Sequence, residues 1–339
     1  MIMKAPFEKD NVKIAVIGGG TGSFMLLTAL KNHSTRIAAL VNMADDGGST
    51  GQLRDEMGVL PPGDVRQCLV ALSESPKVRD LFNYRFEEGS VKGHAFGNLF
   101  LTALEKMTGS FAEAVELAGE VLNITGTVEP ITLSDVTLVL DKEDGQEVRG
   151  EFEIAQVDFG GARPHLRLDP AGEPSMRAIE AIKTADMVVI APGNLYGSLA
   201  PALLVDGIGA ALAETKAKTV YVCNLVTKPG QTDKFAVHDF ADEIERLAGT
   251  PFLDAVLYNT EVPSDELMQM YAKEGETPVP IEDEGFRAAH YGAFGKPLLS
   301  GEVWEKGSSA DPIASSRTLI RHDSESVARA LMELYSELR

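Results

Sequence analysis

The chain has 339 residues, a formal charge of −20 and 44% hydrophobic residues, with 32 glycines and 17 prolines. This is an ordinary globular composition, long enough for one large α/β domain or two smaller ones. The negative charge argues against nucleic acid or an anionic membrane surface as partner, because the average field repels both.

Residues 1–10 carry no apolar leader core, and no run approaches the roughly 20 apolar residues that span a bilayer. Cys68 and Cys223 lack metal-like spacing, so two reduced thiols in a soluble cytoplasmic protein are expected, with a homodimer as the prior for its size.

In chain order, β-branched runs at 13–17 and 36–41 predict strands, and apolar spacing predicts helices over 64–73, 77–86, 97–107 and 111–122. From 134 to 168 the period falls to two, as in Val136, Leu138 and Leu140, with Asp144-Gly145 as a hairpin turn. Residues 126–170 are therefore expected to form a small antiparallel β insertion. Strands return at 187–191, 219–224 and 255–258, each followed by a helical stretch, the first over 199–212. Residues 282–322, rich in Gly, Ser, Pro and charge, predict an irregular cover or interface segment, and 325–338 a closing helix. The expected fold class is α/β: a doubly wound, mostly parallel sheet built from both ends of one domain, with the insertion between.

The chemistry-bearing strings lie where strands end. Gly18-Gly19-Gly20-Thr21-Gly22 follows an apolar strand and opens a helix, the order that phosphate cradling requires. Asn42 then leads into Asp45-Asp46-Gly47-Gly48-Ser49-Thr50-Gly51, where glycines and hydroxyls offer an anion nest while two carboxylates oppose one. A divalent cation on Asp45 or Asp46 that bridges to phosphate resolves the conflict, and Mg²⁺ suits one or two carboxylates plus phosphate oxygens. A sugar diol is the other resolution, and an exposed acidic turn the plain structural one.

Asp64 reads as an N-cap with Arg66 in the first helical turn behind it. His94 and Asn98 fall four apart, on one face if the helix has begun, suited to phosphate or proton transfer or to capping. Gly193-Asn194 repeats the strand-glycine turn, with Ser198 as its N-cap. Asn224, Thr227 and Lys228 follow the next strand and suit a base, ribose or phosphate. Arg321 precedes Asp323, a cap for the last helix, and is placed to reach a phosphate.

Together G-G-G-T-G, D-D-G-G-S-T-G-Q-L-R, P-G-D-V-R, G-H-A-F-G-N, P-G-N-L-Y-G-S, T-K-P-G-Q-T and R-H-D resemble, over nearly the whole chain, the 2-phospho-L-lactate transferase (CofD-like) superfamily. The nearest branch is the bacterial gluconeogenesis factor (YvcK-like) family. The resemblance implies a Rossmann-like nucleotide-binding core. In the bacterial branch it implies UDP-sugar ligands and a role in cell shape and growth on gluconeogenic carbon. In the transferase branch it implies Mg²⁺-dependent transfer of phospholactate to a deazaflavin precursor. Asp45 and Asp46 match the acidic motif that serves acceptor or metal. Two departures bear on sugar or base preference: Gly197 stands where Thr is usual, and Leu225-Val226-Thr227-Lys228 where the family often has M-T-Q.

Three functions compete at this level. A non-catalytic nucleotide-sugar regulator fits the resemblance and the lack of an evident nucleophile and base. A Mg²⁺-dependent transferase would use Asp45, Asp46 and His94, and needs mainly positioning and charge neutralisation. A nicotinamide dehydrogenase rests on the first glycine turn alone.

Overall fold

The computed structural model describes residues 10–265, 268–269, 275–300 and 321–338. Its elements are, in chain order, β1 (Asp10–Gly18), α1 (Gly20–His33), β2 (Ser34–Val41), α2 (Gly48–Met57), α3 (Gly63–Leu72), α4 (Pro76–Asn83), α5 (Phe96–Thr108), α6 (Phe111–Leu122) and β3 (Thr127–Pro130). Then come β4 (Thr137–Asp141), β5 (Glu147–Arg149), α7 (Glu151–Ile154), β6 (His165–Asp169), α8 (Met176–Thr184) and β7 (Met187–Ile190). A π-helical turn (Leu195–Leu199) leads into α9 (Ala200–Leu203), α10 (Ile208–Glu214), β8 (Lys218–Val222), α11 (Val237–Ala248) and β9 (Ala255–Asn259). The last elements are α12 (Asp283–Ala288), β10 (Gly292–Lys296) and α13 (Ser324–Leu338).

Seven strands pair in parallel in the order β10-β9-β8-β7-β1-β2-β3. Strand alternation sends side chains to opposite faces. Ala15, Ile17, Val188 and Ile190 therefore share one core with α8 to α11. Ile14, Val16, Met187 and Val189 share the other with α1, α3, α6 and α13. The fold is thus the doubly wound, Rossmann-like sheet that the strand-helix alternation predicts.

The antiparallel insertion is β5-β4-β6, turned by Gly145 at φ +81°. Leu138, Leu140, Leu166 and Leu168 alternate as predicted and pack into the first core, so the insertion sits on the main sheet.

Four local expectations need correction. Residues 127–130, placed in the insertion, are β3 and extend the main sheet beside β2; four residues that follow Gly126 and end in Pro130 carry too little periodicity to show which sheet they join. The helix expected over 199–212 is broken into the π turn, α9 and α10, with Gly207 in a left-handed conformation between the last two. The acidic glycine string, read as a nest, opens a ten-residue helix, α2. The segment 282–322, read as irregular, holds α12 and the edge strand β10. β10 is Gly-Ala-Phe-Gly-Lys, with no β-branched residue to announce it, and residues 301–320 of that expectation lie outside the described residues. Among the described residues no single helix is long and apolar enough to cross a membrane.

Candidate nucleotide site

Strand order reverses between β1 and β7, and in open α/β sheets ligands bind outside the carboxyl ends of the strands at such a point. The two glycine turns meet there. The Ala191 amide donates to the Ile17 carbonyl at 3.0 Å, and a Cβ on Gly22 would collide with the Pro192 carbonyl oxygen. Asn224 pins the second turn, donating from Nδ2 to the Gly193 carbonyl at 2.8 Å and accepting from the Gly193 amide at 3.3 Å. Asn194, rather than Ser198, caps the π turn by accepting from the Gly197 amide at 3.2 Å. Ser198 lies inside that turn with its hydroxyl toward Gly20.

Helices α1, α2, α3 and α5 begin at this end of the sheet behind Gly19, Gly47, Pro62 and Ala95, none of which provides a side-chain cap. Ser75 and Ser110 cap α4 and α6 away from it, whereas at the carboxyl ends of β8 and β10 Asp323 caps α13 by accepting from the Ser326 amide at 2.7 Å, as expected. The site end therefore keeps amide donors and positive dipole ends that favour an anion.

Two of these ends hold carboxylates of the chain itself. Asp45 accepts from the Gly47 amide at 3.0 Å, and Asp64 from the Gly20 amide and the Asn42 side chain. Asp64 is not the N-cap expected of it: α3 starts one residue earlier at Gly63, and its side chain crosses to Gly19, where a Cβ would strike it. Gly63 admits Asp45 and Thr50 just as closely.

Burial, then the charge of Asp45, pushes the Asp64 pKa up to about 7. Burial raises Asp45 too, against hydrogen bonds from Gly47 and Thr50 and the attraction of Arg66. Glu151, at the start of α7 in the insertion, is pushed well above the usual carboxylate range by burial and then by Asp45, Asp64 and Asp46, with Lys228 opposing. Lys228 is itself lowered by burial, against the pull of Glu151 and Glu276.

A polar chain leads from Arg66 to the N-terminus of α2. Arg66 Nε donates to Asn98 Oδ1 at 2.9 Å, Asn98 Nδ2 donates to Ser49 Oγ at 3.5 Å, and Ser49 Oγ lies 2.8 Å from His94 Nδ1. Asn42, Thr50, Asp64, Arg66, His94 and Asn98 are all buried, although polar. His94 precedes α5 rather than sharing its face with Asn98, and neither caps it; both converge on Ser49 instead.

The remaining expectations separate. Asp46 Oδ1 accepts from the Phe152 amide at 2.9 Å and so caps α7. Thr227 is paired with Thr277, amide to carbonyl at 2.8 Å and hydroxyl to hydroxyl at 2.9 Å. Arg321 is brought to the end of β8 by its neighbour His322, whose Nε2 lies 3.2 Å from the Cys223 carbonyl. Cys68 and Cys223 are free and buried.

Sequence reasoning missed Asp64 and Glu151 as site carboxylates. The P-G-D-V-R string held the signal for Asp64; nothing local marks Glu151. The departure at Gly197 has a steric reason, since a side chain there would meet the Glu151 carboxylate and Asn194.

Among the described residues no three His, Cys, Asp or Glu side chains converge as a metal cage. Two facing carboxylates, Asp45 and Asp64, nevertheless suit Mg²⁺ carried in on phosphate oxygens. A cavity of about 170 Å³, lined by Asn224, Leu225, Tyr258, Asn259 and Thr260, adjoins the site at the ends of β8 and β9. A larger one of about 390 Å³, between Lys13, Arg36 and Arg177, lies at the opposite edge where the strands begin, away from these loops.

The family model described as 2-phospho-L-lactate transferase CofD matches residues 14–299. The chain belongs to the CofD family. Within it, the chain is 38% identical to the gluconeogenesis factor of Bacillus subtilis, over 96% of this chain and 98% of that protein. It is 37% identical to the gluconeogenesis factor of Halalkalibacterium halodurans, over 96% and 97%. The crystal structure of a UPF0052-family protein from Bacillus halodurans superposes with a TM-score of 0.85 at 37% identity, covering 95% of this chain and 99% of that one. The CofD family model and the relatives named gluconeogenesis factors thus match the same chain over nearly its whole length.

Proposed function

We propose that this CofD-family chain is a sensor that binds a nucleoside diphosphate sugar, a UDP-sugar, during growth on gluconeogenic carbon, with its output in cell shape. The observation that carries this reading is the set of four helix N-termini around the switch point whose N-cap residues supply no side-chain cap, with Arg66 beside them. The diphosphate takes free amides of α1 and α2 and the Ser49 hydroxyl, the base or sugar the cavity at Tyr258 and Asn259. Asp45 and Asp64 would hold Mg²⁺, which neutralises the diphosphate against the surrounding carboxylates. Calorimetric titration with UDP-N-acetylglucosamine, with and without Mg²⁺, tests this. Binding strengthened by Mg²⁺, without product, is expected; no heat under either condition refutes it.

One observation favours a second reading, a Mg²⁺-dependent phospholactate transferase acting on a deazaflavin precursor. Asp64 titrates near neutrality, where a base must stand to take a proton from an acceptor hydroxyl. Release of guanosine monophosphate from a guanosine diphosphate-linked phospholactate donor would establish that reading; its absence leaves the sensor.

A further inference from the structure

Glu151 stands apart from the other carboxylates of the site. It comes from the insertion, and α7 is only four residues long, too short to hold a side chain in place by itself. Two neighbours outside α7, Asp46 and Gly197, do so, and a third contact fixes the insertion. Asp46 Oδ1 accepts from the Phe152 amide at 2.9 Å, and its other oxygen presses on Gly150, whose φ of +98° places the turn where a Cβ would strike that carboxylate. Gly197 leaves space for the Glu151 carboxylate, with Oε1 lying where a Cβ on that glycine would sit. At the far end of α2, Arg54 donates to the Val136 carbonyl at 2.8 Å and pairs with Asp135 at 2.6 Å. The helix that begins at Gly48 is thus fastened to the insertion at both ends.

The chemistry of Glu151 also differs from that of a phosphate ligand. Burial beside three other carboxylates favours the protonated form of Glu151, and a protonated carboxyl both donates and accepts, so its natural partners are hydroxyl groups rather than phosphate oxygens alone. Acidic side chains recognise sugar hydroxyls in nucleotide-binding α/β folds in this way. The groups facing it are Asp45, Asp46, Asp64 and Lys228.

We propose that Glu151 is the residue that distinguishes a nucleoside diphosphate sugar from the bare diphosphate, by hydrogen bonding to sugar hydroxyls, and that Asp46 is a positioning residue acting through it by capping α7. Asp46 is then neither metal ligand nor base. The proposal rests on the nucleotide-sugar reading above and adds to it a structural claim testable without ligand.

The test compares Asp46→Asn, Asp46→Ala, Glu151→Ala and Gly197→Ala with the wild type. Asn keeps the accepting oxygen and is as good an N-cap as Asp, whereas Ala removes it. In the free protein, hydrogen exchange at the Phe152 amide should quicken in Asp46→Ala and stay near wild type in Asp46→Asn. With UDP-N-acetylglucosamine and UDP as probes, Asp46→Ala, Glu151→Ala and Gly197→Ala should lose about tenfold or more in affinity for the sugar nucleotide, while UDP changes by less than about twofold. Asp46→Asn should restore the preference. Equal losses of Mg²⁺-dependent affinity for both probes, in Asp46→Asn as in Asp46→Ala, would overturn the proposal in favour of a metal ligand. If Asp46→Ala disturbs folding, Glu151→Ala decides the role of the carboxyl group, since it leaves the cap on the Phe152 amide intact. A wild type that binds neither probe removes the nucleotide-sugar reading itself, whereas one that binds both with the preference unmoved in the variants removes only the roles of Glu151 and Asp46.

Discussion

Asp64 shows how one residue is loaded against stability for the sake of a site. Its carboxyl has an ordinary pKa of 3.8 and is pushed up to about 7 in the fold, chiefly by burial. Between these values the folded chain keeps a proton that the unfolded chain has released, so this group's contribution to stability falls as pH rises through the window and stays low above it. Asp64→Asn keeps an acceptor for the Gly20 amide and removes the charge beside Asp45. The variant should be more stable than the wild type at pH 8 by about 0.5–3 kcal/mol, with the gap closing as pH falls toward 4. Thermal melts at pH 8 and pH 5 check this, and Mg²⁺-dependent nucleotide binding should weaken in the same variant. A wild type as stable as the variant at pH 8 would mean that burial of this carboxylate costs nothing.

At the scale of elements, the site is made by helix ends and by the close approach of two turns. α1 can start against the β7 turn only because Gly22 has no side chain, the Pro192 carbonyl oxygen occupying that space. The obstacle is backbone, so it cannot swing aside as a flexible side chain would. Gly22→Ala should therefore cost about 1–3 kcal/mol through overpacking and reduce ligand affinity together with stability, because the α1 amides move with the turn. Denaturant unfolding and calorimetry on one preparation read both, and a variant at wild-type stability would show that the turns do not interlock. The insertion acts at this scale as well: it supplies Glu151 from outside the doubly wound core, while α2 carries the amides to which a phosphate would bind.

For the whole molecule, the C-terminal helix closes the chain against the end of β8 through His322. Burial lowers the pKa of this imidazole from 6.5 to about 4, against the hydrogen bond to the Cys223 carbonyl. The fold thus favours the neutral ring; the stability it contributes is present above pH 6.5 and is lost as pH falls toward 4, where the unfolded chain binds a proton first. The stability difference between wild type and His322→Gln should shrink or reverse as pH is lowered from 7 to 4.5. Parallel melting curves across that range would remove His322 as a pH-dependent tie. The charge of −20 bears on the molecule as a whole too: an anionic ligand meets a repelling average field, so its association should quicken with added salt.

The sequence by itself determined the doubly wound class, most strands and helices of the main sheet, and the glycine turns at its switch point. These are local statements, carried by periods of two and 3.6 and by residues needed for tight turns. The same local reading found Asp45, Ser49, Arg66, His94 and Asn98 as strings without showing that the last four form one chain of contacts. Only the tertiary structure decided that Thr127–Pro130 joins the main sheet, that Asp64 turns from its own helix to α1, that Asp46 caps a turn more than a hundred residues away, and that Glu151 faces the site. Each of these is a pairing between distant segments, fixed by packing and burial rather than by the order of neighbouring residues, and such pairings leave no period in the chain.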